Sequence, residues 1–168
     1  MAVITNSAAE TRALGERLAG QLKAGDTVLL EGELGAGKSE LARGVAKGLG
    51  VRETVTSPSF TILNVYESGR IPLYHFDWYR LESAEELYEL GMDEYLGGDG
   101  IALVEWPGRC QDAVPEWCEY THIFGFANKM SALLRTNHHI NFLSAADGCK
   151  TTVFEVICGL HTFTNYRN

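Results

Sequence analysis

Gly32-Glu33-Leu34-Gly35-Ala36-Gly37-Lys38-Ser39 matches the pattern G-x-x-x-x-G-K-[ST], and its neighbours on both sides supply the setting that pattern requires. Before it, past the turn-prone Gly25-Asp26, Thr27-Val28-Leu29-Leu30 is short, apolar and followed at once by glycine, so it reads as a buried strand. After it, Leu41, Val45 and Leu49 recur at helical spacing from Lys38 onward, with Gly48 and Gly50 near the end as a stop. Strand, glycine loop and helix in that order form a phosphate-binding unit. Glycines let the backbone curl until successive N–H groups point inward, and the helix N-terminus adds the positive end of its dipole. Lys38 can reach β and γ phosphates as a mobile point charge, and the Ser39 hydroxyl is placed to ligate Mg²⁺.

Upstream, Ser7-Ala8-Ala9-Glu10 has the spacing of a capping box, and Leu14, Leu18 and Leu22 continue it as an amphipathic helix. Downstream, Phe60–Tyr66 and Pro72–Asp77 are β-rich runs separated by Glu67-Ser68-Gly69-Arg70, which predicts a hairpin. Ser83-Ala84-Glu85-Glu86 predicts a second capped helix, through Leu90 and ended by Gly91. Ile101–Val104 then reads as a buried strand with Glu105, Trp106 and Pro107 at its exit.

A magnesium-bound nucleotide needs a carboxylate near the metal, and two stand at strand ends. Glu105 occupies the place of a metal-binding acid at the carboxyl edge of a parallel sheet, and Asp77 ends the run Leu73–Phe76. Either could equally cap a helix or meet water. Thr56-Ser57-Pro58-Ser59-Phe60-Thr61 is a hydroxyl-rich loop where many P-loop proteins sense the γ-phosphate, although such clusters also serve as plain turns. His75 sits among aromatics in an apolar run and reads as a satisfied core histidine rather than a catalyst. His138-His139 has no companions at metal-ligand spacing. Trp106 and Trp117 read as core, or as the wall of a nucleotide pocket or partner surface.

The chain has 168 residues, 45% of them apolar and 21% charged, a composition that excludes disordered, collagen-like and disulfide-scaffold classes. Its net charge of −8 argues against broad capture of nucleic acid, so any link to RNA is expected to be indirect. No long apolar run and no signal-peptide pattern is found, and the four cysteines (Cys110, Cys118, Cys149, Cys158) make no C-x-x-C pair. A cytoplasmic chain with reduced thiols and no membrane association is expected. Residues 1–117 carry a net charge of −9 and residues 118–168 a net +1. The tail also holds four of the five histidines and no proline, so a different character begins there.

Five blocks now stand in one order: the run at 32–39, Ser-Pro-Ser-Phe-Thr at 57–61, Tyr-His-Phe-Asp-Trp-Tyr-Arg-Leu at 74–81, Glu-Leu-Gly-Met-Asp-Glu-Tyr-Leu at 89–96 and Val-Glu-Trp-Pro at 104–107. Together they closely resemble the TsaE family, formerly YjeE, over about residues 5–117. The resemblance implies an α/β fold, a P-loop NTPase-like three-layer sandwich around a mixed, mostly parallel sheet. Residues 1–117 would form the ATPase core, and 118–168 an atypical segment, part of the same domain or partly disordered. It also implies weak, Mg²⁺-dependent ATP hydrolysis that needs partners, the TsaD and TsaB proteins, with TsaD transferring threonylcarbamoyl to adenosine 37 of tRNA. The ATPase would reset or activate that transferase.

Carried over residue by residue, Gly35, Ala36, Gly37, Lys38, Ser39 and Glu40 bind the nucleotide, with Lys38 on its phosphates and, beside Asp77 and Glu105, among the catalytic residues. Ser39 and Glu105 hold the metal, Asp77 orients the attacking water, Trp106 supports the site, and Thr11 approaches the adenine. Ser replaces the family's usual Thr at 39 and 59, which keeps the hydroxyl and drops a stiffening methyl. After Trp117 the family's closing strands are not legible, which leaves a native tail and a diverged or frameshifted C-terminus both open. Two other readings fit a phosphate loop: a small P-loop kinase, against which stands the lack of an Arg-rich lid, and a binding subunit that orders on ATP without hydrolysing it.

Overall fold

A computed structural model describes residues 5–114 and the backbone of three short strands at 120–122, 134–135 and 155–156. Ser7 starts the first helix as expected, its hydroxyl accepting the Glu10 N–H at 3.2 Å. Glu10 reaches back one residue further than a capping box requires and accepts the Asn6 N–H at 2.7 Å. Helix α1 spans Ala8–Ala19 and stops three residues before the predicted Leu22, because the chain tightens at Gly20, whose N–H bonds the Arg17 carbonyl. Leu22 stays buried from the turn beyond.

Strand β1 (Thr27–Glu31) leads through the glycine loop into α2 (Lys38–Leu49). Gly37 (φ 100°) and Gly50 (φ 81°) bound that helix in the left-handed region that glycine enters without strain. Strands β2 (Leu63–Tyr66) and β3 (Leu73–Asp77) form the predicted antiparallel hairpin. Its first strand begins three residues later than the sequence suggests, because the N–H groups of Thr61 and Ile62 both turn back to the Pro58 carbonyl and Ile62 sits at φ 66°. Helix α3 covers Ala84–Glu89, with Gly91 (φ 62°) just beyond it. Here Glu86 accepts the Glu82 N–H at 3.0 Å, while the Ser83 hydroxyl makes no capping bond. Strand β4 (Ile101–Glu105) is buried throughout, and a 3-10 segment (Pro107–Ala113) follows it.

The main sheet has the order β2-β3-β4-β1-β5, where β5 is Tyr120–His122. Only the β2–β3 pairing is antiparallel, so the sheet is mixed and mostly parallel as expected. A separate two-stranded pair joins β6 (Leu134–Arg135) to β7 (Glu155–Val156). Because successive strand residues face opposite sides, Val28, Leu30, Leu73, Ile101 and Leu103 pack against α1 and α2. Leu29, Tyr74, Phe76, Ala102 and Val104 pack against α3 and the 3-10 segments Met92–Tyr95 and Pro107–Ala113. Three layers result. Among the described residues no helix is long and apolar enough to cross a membrane. Trp117, His138-His139, Cys118, Cys149 and Cys158 lie outside the described residues, as does the side-chain structure of the whole segment from 118 onward.

Helices α1 and α2 run parallel: Arg12 meets Glu40 and Gly44, Gly15 meets Leu41 and Val45, and Glu16 meets Lys47 and Gly48. Their backbones touch, since a Cβ on Gly44 would stand 2.1 Å from the Arg12 carbonyl oxygen. That contact locks α2, and with it the glycine loop, against the rest of the layer. Gly44→Ala would gain about 1 kcal/mol of helix propensity, yet a clash with backbone forces the helices apart. We expect a net loss of about 1–3 kcal/mol from overpacking; a urea midpoint equal to that of the parent would contradict the close contact.

Candidate functional site

The site lies at the carboxyl edge of the sheet, where β1 hands over to α2. Gly32 (φ 147°), Gly35 (φ 81°) and Gly37 (φ 100°) carry the loop through conformations closed to most side chains, and the Ala36 N–H bonds the Glu33 carbonyl at 3.1 Å. Residues 34–40 border an open cavity of about 310 Å³, completed by Arg43, Ser57, Ser59, Asp77, Glu105 and Trp106. This volume is at the lower end of the range for small-molecule sites.

Lys38 turns back along the loop, its Nζ donating to the carbonyls of Gly32 (2.6 Å) and Glu33 (2.9 Å) and lying 3.7 Å from the centre of the Trp106 ring. Burial pulls its ammonium below the ordinary lysine value, and the negative charges of Glu105, Glu31 and Asp77 oppose that shift. The register sets Leu30, Glu105 and Asp77 side by side on three neighbouring strands. Both carboxylates therefore stand at the lip of the loop, and both are buried.

Each buried oxygen has partners, as burial demands. Glu105 Oε2 accepts the Ser39 hydroxyl at 3.2 Å, and Oε1 lies 2.9 Å from His75 Nε2. Asp77 Oδ2 accepts the Ser57 hydroxyl at 3.1 Å, and Oδ1 accepts the Tyr79 N–H at 3.0 Å. Ser57 and Ser59 share a further bond of 2.8 Å. The hydroxyl-rich loop thus reaches the site through Asp77.

Of the residues the sequence singles out, Gly35, Ala36, Gly37, Lys38, Ser39, Glu40, Asp77, Glu105 and Trp106 all border this cavity. Glu40 is there as the shared partner of Arg12 and Arg43. Thr11 is not brought to it. The parallel course of α1 puts Thr11 at the same end of the molecule, but its hydroxyl is buried and spent on Thr5 Oγ1 (2.8 Å) and the Ser7 carbonyl (3.1 Å).

Three residues go unnoticed in the sequence. Arg43 borders the cavity and ties α2 to the incoming loop by donating from Nε to the Val55 carbonyl at 3.2 Å. Glu31 accepts the Gly108 N–H at 3.0 Å. That bond holds the chain just after Trp106, itself at φ 62° with its N–H on the Leu30 carbonyl. Tyr79 packs against the indole at a tilt, 5.1 Å between ring centres. A polar residue five places after the loop lysine was the one available signal for Arg43; nothing in the linear pattern points to Glu31 or Tyr79.

A family model described as threonylcarbamoyl adenosine biosynthesis protein TsaE matches residues 5–138. The tRNA threonylcarbamoyladenosine biosynthesis protein TsaE of Bacillus subtilis is 46% identical over 107 residues, 64% of this chain and 66% of that protein. The TsaE protein of Treponema pallidum is 41% identical over 117 residues, 70% of this chain and 86% of that one. The match thus spans just under two thirds of the Bacillus relative's length and more of the Treponema relative's. The crystal structure of Bacillus subtilis YdiB superposes with a TM-score of 0.68 at 35% identity, covering 79% of this chain and 82% of that one.

Asp77→Asn keeps an acceptor for the Tyr79 N–H and a polar partner for Ser57 while removing the charge. We expect the variant to fold with a melting temperature within a few degrees of the parent; a collapse of the thermal transition would make Asp77 a residue of structure alone.

Proposed function

The chain belongs to the TsaE family of threonylcarbamoyl adenosine biosynthesis proteins, and from that premise we propose that it is a cytoplasmic, Mg²⁺-dependent ATPase subunit, weak alone and dependent on partners. It supports threonylcarbamoyl transfer to adenosine 37 of tRNA by acting on a complex of the TsaD and TsaB proteins. One observation carries this reading: a concave loop with Lys38 and Ser39 at its end faces two buried carboxylates in adjacent register, Glu105 and Asp77. The net charge of −8 fits a protein that meets tRNA only through the complex.

The donor set suits magnesium. A serine hydroxyl and a carboxylate are the hard oxygen ligands the ion prefers, and it usually takes few of them from protein and the rest from phosphates and water. In keeping with that, the described residues hold no cluster of three or more His, Cys, Asp or Glu that would bind a metal alone. Ser39 and Glu105 would hold the ion. When bound, it neutralises charge on the β and γ phosphates.

The chain's own groups do the remainder. The loop amides of Gly35 and Gly37, that of Ala36 once it leaves the Glu33 carbonyl, and the start of α2 bind phosphate oxygens. Lys38 leaves its carbonyl partners to pair with the phosphates, its Nζ lying over the Trp106 ring. Asp77 spends acceptor capacity on Ser57 and Tyr79 and has lone pairs left for a water. That water's oxygen bonds to the γ-phosphorus as the bond to the β-bridging oxygen breaks, and its proton passes to solvent or phosphate. Glu40, braced by Arg12 and Arg43, fixes the first turn of α2 beneath the phosphates. Residues 1–117 carry this core, and β5 extends the same sheet beyond it.

Phosphate release should rise when purified protein is mixed with TsaD and TsaB, and the three should co-purify in a pull-down. Transfer of the γ-phosphoryl group to a small acceptor would instead favour a kinase, and ATP binding without phosphate release a non-hydrolysing subunit. Lys38→Ala is expected to abolish measurable nucleotide affinity. Glu105→Ala should lower hydrolysis by about 10²-fold or more with a smaller effect on nucleotide capture. Titration calorimetry and phosphate release separate the two, and unchanged affinity in Lys38→Ala would remove the phosphate assignment.

A further inference from the structure

His75 is fully buried in the middle of β3. Its strand neighbours Leu73 and Asp77 share its face of the sheet, and across the register it stands beside Leu103. Leu73, Leu103 and Ile101 on that face belong to the apolar cluster beneath α2. An aliphatic side chain would suit this place, and a buried imidazole costs free energy unless its polar atoms are bonded. Among the described residues its single hydrogen-bond partner is the Glu105 carboxylate, at 2.9 Å from Nε2. Nδ1 has no partner among them. A hydrogen on Nε2 satisfies that arrangement, whereas a hydrogen on Nδ1 would be stranded in the core.

The consequence falls on Glu105. Its carboxylate bridges two partners, His75 behind it on Oε1 and the Ser39 hydroxyl in front on Oε2. Without the rear donor, Oε1 would be a buried, unpaired charge. The carboxylate could then relieve itself by turning toward the Lys38 ammonium, which already feels it electrostatically.

We propose that His75 is a positioning residue: its Nε2–H holds Oε1 of Glu105 so that Oε2 stays aimed beside the Ser39 hydroxyl, as an oxygen donor for a divalent cation. The inference rests on the reading of Ser39 and Glu105 as the magnesium pair and adds the group that orients it. Outer partners that orient a metal ligand are commonly worth 10–100-fold in metal affinity.

The test uses the full chain and a non-hydrolysable ATP analogue. The Mg²⁺ concentration that gives half-maximal enhancement of analogue binding is measured by calorimetry, with thermal melts as a check on folding. Three variants discriminate. His75→Gln places an amide N–H near the position of Nε2, His75→Asn is polar but too short to reach Oε1, and His75→Phe fills the space with no donor. We expect Gln to stay within about threefold of the parent, and Asn and Phe to need about tenfold more Mg²⁺, while affinity for the analogue without metal is unchanged. If Phe does not fold, the contrast between Gln and Asn decides. Equal Mg²⁺ requirements in Gln, Asn and parent would overturn the positioning role. A parent protein that binds the analogue without any Mg²⁺ dependence would overturn the magnesium assignment, and the positioning role with it. A parent that needs Mg²⁺, joined by variants that all need the same amount, would leave that assignment standing and sink the role of His75 alone.

Discussion

A carboxylate shut away from water must be given partners, and at Glu105 that requirement ties together three elements that are distant in sequence. The Ser39 hydroxyl comes from the start of α2, the His75 ring from the middle of β3, and the carboxylate itself from the end of β4. Leaving either oxygen unpaired would cost on the order of 1–3 kcal/mol, more for a charged group. The geometry at the lip of the loop is therefore specified by satisfaction of a buried charge as much as by apolar packing. The same carboxylate pushes the Lys38 ammonium toward its charged form while burial pulls the other way. Both effects act in a partly desolvated site, where charges are screened less than in water.

Packing supplies the rigidity that this arrangement needs. Gly15 and Gly44 let α1 and α2 approach until backbone meets backbone. The ion pairs of Glu40 with Arg12 and Arg43 and of Glu16 with Lys47 then flank the contact. Exposed pairs of this kind contribute little each. Their value lies in orientation, because Glu40 and Arg43 border the cavity and Arg43 also holds the Val55 carbonyl. On the far side of the cavity, Glu31 and Tyr79 support Trp106 in a left-handed backbone conformation that a bulky residue adopts only when its surroundings impose it.

Exposure around the opening is uneven. Leu34 on the loop and Phe60 on the hydroxyl-rich segment are 88% and 83% exposed, and Arg80 stacks over Phe60 at 4.3 Å. Both side chains sit on segments that contribute to the site. The acidic surface contributed by Glu82, Glu85, Glu89, Asp93 and Glu94 lies instead along α3 and the 3-10 turn that follows it.

Much was legible in the linear pattern because local rules govern it. The glycine loop, the strand before it and the helix after it follow from backbone sterics and periodicity, as do the α1 cap at Ser7, the hairpin and the acids at two strand ends. Boundaries drifted where local chemistry competes: Gly20 ended α1 before Leu22, and the turn at Pro58–Ile62 delayed β2. What the residues could not disclose alone was which neighbours the sheet order would create. Placing β4 between β3 and β1 sets Asp77, Glu105 and Leu30 in one row. It also turns an apparent core histidine into the partner of a site carboxylate. Element type is decided over a few residues, by φ/ψ preference and side-chain period. Partnership across the sheet is decided by the long-range pairing of strands, to which no short stretch of sequence has access.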